Sequence, residues 1–183
     1  MVILAPEIEE YIFRKQLIDR MHIYGEKLAV VTSALMFGLF HGNLSQFFYA
    51  FALGLVFGYV YLKTGKLRYN ISLHMLINLI GSVIGPFFLE KIAVVDKMET
   101  LDLSALKPIM PWLIAFGAYV LVLIGLAITG LVLLCSNKRR VSFAPAEMEL
   151  PKDSRFKTVY MNVGMILLAV GCLVLIVASV IPM

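Results

Sequence analysis

The sequence predicts an all-α fold, a polytopic membrane helix bundle of about six helices, and three observations carry that prediction. Hydrophobic residues make up 61% of the chain and charged residues only 15%, an imbalance that a water-soluble core does not need. Charged side chains are absent from residues 28–62, 69–89, 108–137 and 158–183. Each stretch reaches the length of about 20 residues that carries a helix across a roughly 30 Å hydrocarbon layer. Third, the basic residues alternate in density along the chain, as the loops of a multi-pass protein do.

The elements follow in order. Residues 6–22 form a first helix, opened by Pro6 at a favourable first-turn position and more charged than the rest. The stretch 28–62 is too long for one crossing and is interrupted by His41-Gly42-Asn43, a turn-like tripeptide. It therefore reads as two helices, about 26–41 and 44–62, meeting in a hairpin. Sixteen residues rise only about 24 Å, so the turn is expected below the far membrane surface, where irregular backbone survives only in a protein-lined or water-filled site. Further helices are expected at 69–89, 108–135 and 158–181, with loops at 90–107 and 137–157. The domain reading is a membrane core over 1–136, a basic loop over 137–157 and an additional C-terminal transmembrane helix over 158–183.

Counting cations tests this arrangement. One set of loops holds Lys15, Arg20, Lys27, Lys63, Lys66, Arg68, Lys138, Arg139, Arg140, Lys152, Arg155 and Lys157, and the opposite loop only Lys91, Lys97 and Lys107. The richer set belongs in the cytoplasm. The net charge of +4 is explained by orientation, so no nucleic-acid partner is expected. Cys135 and Cys172 lie in apolar runs and form no disulfide framework.

Ionisable groups inside a membrane are costly and by default mark a site. The candidates are Glu9, Glu10 and Arg14 on the first helix, His41 at the hairpin and His74 on the 69–89 helix, with the amides Asn43 and Asn78 nearby. Glu10 and Arg14 are four apart and share a face. That suggests an ion pair, with Glu9, rotated by about 100°, left free to act as a base. His74 and Asn78 share a face in the same way, either as interhelical polar glue or as two donors for an oxyanion. Phe37, one turn before His41, can pack against that imidazole. One carboxylate, two imidazoles and an amide could together activate water for attack on a carbonyl, directly or through a metal.

Glu9-Glu10-Tyr11-Ile12-Phe13-Arg14 has the form EExxxR, Phe37 to His41 the form FxxxH, and His74 to Asn78 the form HxxxN. In order and spacing these resemble the CPBP family of intramembrane proteases, also called the CAAX protease and bacteriocin-processing or Abi family, which includes the Rce1-like prenyl endopeptidases. The resemblance covers about residues 5–90. It implies an intramembrane endopeptidase acting on a membrane-associated or lipidated, CAAX-like peptide. Glu9 would activate water, His41 position it, and His74 with Asn78 form the oxyanion hole, supported by Glu10, Arg14, Phe37 and Asn43. The metal is left open: Glu9, His41 and His74 suit zinc as well as a metal-free mechanism, and the latter is preferred. The family's members begin with helices that precede the first motif, so the chain is expected to lack N-terminal helices of the family. The alternative function is a non-catalytic membrane protein of the same fold, an immunity protein or scaffold. The partners expected are a membrane peptide or protein substrate and the bilayer, in a bacterial cell membrane, with the oligomeric state left open.

Overall fold

Helices account for every regular element among the described residues of the computed structural model, which are 2–93, 106–148 and 150–180. The expectation for 94–105, within the predicted 90–107 loop, lies outside them. Two compact units emerge, one of Ile3–Met75 with Phe143–Met183 and the other of Leu76–Ser142 with Val2.

In the first unit, α1 runs from residue 4 to 24, and its middle, Tyr11–Ile18, is wound as a π-helix. Such widened turns are rare and tend to sit at functional sites; this one contains Arg14 and follows directly on Glu9 and Glu10. After Gly25, α2 (Glu26–Phe40) and α3 (Leu44–Thr64) form the predicted hairpin. Its turn depends on Gly42, whose φ of +61° a side chain would resist. The hairpin is tight because small residues line its contact. Ala50, Gly54 and Gly58 recur every four residues along α3, and a Cβ built on Gly54 would lie 2.8 Å from the Ala34 Cα. This is the small-xxx-small pattern by which membrane helices bring their backbones together.

α4 (Leu67–Ile92) starts in the first unit, and its residues from Leu76 onward belong to the second. There it widens into a π segment over Ile80–Ile84, just before Pro86. A proline ring clashes with the carbonyl four residues earlier, here that of Ser82, and the wider turn relieves the clash. Tyr119 of α5 (Lys107–Arg140) donates a hydrogen bond to the Ile80 carbonyl at 2.9 Å, and Phe88 packs on Phe116 and Tyr119.

α3, α4, α5 and the C-terminal helix are long and apolar enough to cross a membrane. α5 exposes Leu121, Leu126, Leu131 and Leu134 alike, as a helix apolar all round does when its surroundings are lipid. α2, at 15 residues and about 22 Å, falls short of a crossing.

The C-terminal region departs from expectation in its helix bounds. A single helix over 158–181 is replaced by α6 (Lys152–Tyr160) and α7 (Val163–Val180), so the end of the expected 137–157 loop is helical. The break falls at Asn162, whose side chain accepts the Met165 N–H at 3.0 Å and satisfies one of the unpaired donors that begin a helix. α7 belongs to the same unit as α1, α2 and α3. Met165 and Leu168 pack on the buried cluster of Phe13, Met36, Phe37 and Ala50, and Tyr160 shares a hydrogen bond with Thr32 at 2.9 Å.

Candidate active site

The site assembles around a carboxylate that water does not reach. Glu10, Arg14, Ser33 and Asn70 are all 0% exposed, and His74 is 4% exposed. The π turn brings Arg14 back beneath Glu10, with Nε donating to Oε2 at 2.9 Å and an Nη to Oε1 at 3.4 Å. The other Nη donates to Ser33 Oγ at 2.7 Å, and that hydroxyl donates to the Phe13 carbonyl at 2.6 Å. The guanidinium lies 4.8 Å from the Phe37 ring centre and 5.7 Å from that of Phe57, a flat cation between two aromatic faces. Removing either partner of such a pair typically costs about 3–5 kcal/mol, because it leaves an uncompensated buried charge.

α4 grips the same carboxylate from the other side. His74 Nδ1 donates to Glu10 Oε1 at 3.0 Å, and Asn70 Nδ2 donates to Oε2 at 3.3 Å. The second Asn70 N–H goes to the Phe57 carbonyl at 2.7 Å. Because Glu10 already accepts from Arg14, the proton of the His74 contact belongs to Nδ1. Its Nε2 then faces Glu9, 3.8 Å from Oε2. That Glu9 oxygen is buried and has no hydrogen-bond partner among the described residues. Glu9 is thus the one carboxylate of the pair with an oxygen at liberty, while Glu10 is saturated.

His41, at the hairpin turn, donates from Nδ1 to the Phe37 carbonyl at 2.8 Å. A carbonyl cannot donate, so the neutral ring has its lone pair on Nε2. Phe37 meets both imidazoles edge to face, with ring centres 4.9 Å from His41 and 5.5 Å from His74. It therefore fixes two rings where the sequence reading gave it one.

The structure brings together Glu9, Glu10, Arg14, Phe37, His41 and His74. Asn78 lies one helical turn beyond His74 on α4, in the second unit. At Asn43, Oδ1 accepts the backbone N–H groups of Ser45 and Gln46 and the Ser45 hydroxyl, making Asn43 the N-cap of α3. Among the described residues, no group of three or more His, Cys, Asp or Glu is arranged to hold a metal ion. Sequence reasoning missed Asn70 and Ser33. The signal for Asn70 was available, because Asn70, His74 and Asn78 repeat at the four-residue spacing; Ser33 gives none, as a lone hydroxyl in an apolar run.

Residues 1–80 match the family described as type II CAAX prenyl endopeptidase Rce1-like. The membrane-embedded CAAX protease MroQ of Staphylococcus aureus (strain USA300) is 31% identical over 99 residues, which cover 49% of this chain and 40% of that protein. The match thus spans less than half of the relative's length. No solved structure matches the chain.

Proposed function

We propose, from the match of residues 1–80 to the Rce1-like CAAX endopeptidase family, that this chain is an intramembrane endopeptidase, cutting a membrane-associated peptide with water activated by Glu9. The observation that carries this reading is the free, buried Glu9 oxygen 3.8 Å from Nε2 of the His74 imidazole, whose other nitrogen is held by Glu10. Glu9, Glu10 and Arg14 sum to one negative charge, and a single proton shared between Glu9 and His74 Nε2 brings the cluster to neutrality. A dry site favours that balance.

With the proton on His74 Nε2, Glu9 is a carboxylate base and His74 a donor for an oxyanion. Water gives a proton to Glu9 while its oxygen attacks the scissile carbonyl carbon, and His41 Nε2 accepts the water's other hydrogen to aim it. The carbonyl oxygen becomes an oxyanion held by the His74 Nε2–H. Collapse breaks the C–N bond, and Glu9 returns its proton to the leaving amine. One positioned acid–base group of this kind contributes about 10²–10⁴ in rate. No metal enters the scheme. The resemblance supports CAAX-like or otherwise membrane-associated peptides as substrates.

The test is cleavage of a membrane-peptide library by the purified chain beside Glu9→Gln and His41→Ala. Cleavage by the wild type that both variants lose is expected; equal cleavage by all three overturns the assignment.

A further inference from the structure

We infer that Asn70 is a positioning residue of this site, acting through Glu10 to hold the His74 imidazole in register with Glu9. The inference rests on the proposed peptidase reading and adds a residue outside its three motifs.

Asn70 is fully buried and both of its N–H groups are committed, one to Glu10 Oε2 and one to the Phe57 carbonyl. Both partners are pure acceptors, so the amide can sit only one way; turned over, its oxygen would face two other oxygens. That orientation leaves Asn70 Oδ1 buried without a partner among the described residues, a state ordinarily unfavourable. An apolar residue would avoid that penalty, so simple packing does not account for an amide here. What the amide accomplishes is geometric. Asn70 and His74, one turn apart on α4, each take one oxygen of the same carboxylate. The Glu10 carboxylate thereby cannot rotate, and the His74 Nδ1–H has a fixed target. The Phe57 link ties this grip to α3, whose Phe57 ring also lies 5.5 Å from the His74 ring. An imidazole oriented in this way by a carboxylate beyond it keeps its tautomer and its aim.

The test uses the full chain with Asn70→Asp, which keeps the shape but sets an oxygen against Glu10, and Asn70→Leu, which keeps bulk without a donor. Turnover about tenfold lower or more is expected for both, since misplacing a catalytic group by an ångström can lose about 10²-fold, with KM little changed. Wild-type turnover in either variant overturns the inference. Because loss of turnover can also follow from poor folding, two further readouts are decisive. In a Glu10→Gln background, Asn70→Leu should lower the residual rate by no more than about twofold, as expected when one residue acts through the other; retention of its full effect there overturns the inference. Nitrogen-15 spectra of labelled histidines should show the His74 Nδ1–H resonance displaced in both Asn70 variants, and an unmoved resonance overturns it. The spectrum needs no turnover. A wild type without peptidase activity would therefore sink the proposed function, while the spectrum still decides whether Asn70 orients His74.

Discussion

Replacing Arg14 with Met probes the site where its energetics are largest. The guanidinium is wholly buried, donates twice to Glu10 and once to Ser33, and lies between the rings of Phe37 and Phe57. Met fills much of the same volume but leaves the Glu10 carboxylate with only Asn70 and His74 as donors. An orphaned buried charge of this kind costs about 3–5 kcal/mol, or about 10²–10⁴ in the folding equilibrium. The companion variant removes the charge as well: Arg14→Met with Glu10→Met replaces the pair by apolar bulk, an exchange that is often neutral. Its stability should recover most of the loss, although Asn70 and His74 then lack their acceptor. Reversible unfolding in mixed detergent micelles gives all three free energies. An Arg14→Met protein within about 1 kcal/mol of wild type, or a double variant no more stable than the single one, would refute the claim that Glu10 is a desolvated anion held by Arg14.

Three further outcomes follow from particular contacts. Asn43→Ala removes the N-cap of α3 and should destabilise by about 1 kcal/mol while leaving turnover per folded molecule unchanged; a large loss of turnover would mean that Asn43 supports the site as well. Gly54→Ala forces a Cβ to within 2.8 Å of the Ala34 backbone, which cannot swing aside as a side chain would, and overpacking of that kind costs about 1–3 kcal/mol, measurable as a lowered unfolding midpoint. Prolonged treatment with a strong zinc chelator should leave peptide cleavage unchanged, and a loss restored by added zinc would contradict the metal-free scheme.

The sequence was most legible where one helix supplies both partners. Glu10 and Arg14 are four residues apart, so their pairing needs no knowledge of the rest of the fold. The hairpin at His41-Gly42-Asn43 was legible for a similar reason, since glycine between polar residues in an apolar run marks a turn. Contacts between helices were not. Glu9 and Glu10 were read as facing apart, and helically they do, yet His74 arrives between them and offers one nitrogen to each. Glu10 is consequently part of the imidazole's surroundings as well as Arg14's partner. The π winding of Tyr11–Ile18 has no local sequence signature. The seating of α7 on α2 was hidden too: an evenly apolar helix gives no clue to which of its faces meets protein and which meets lipid.

The central claim is that Glu9 draws a proton from water rather than attacking the peptide itself, and a single turnover in ¹⁸O-water tests it most directly. If water attacks, the new C-terminal carboxylate of the first product carries one heavy oxygen and Glu9 carries none. Heavy oxygen on Glu9 with an unlabelled first product would mean that the carboxylate had been the nucleophile, contradicting the account.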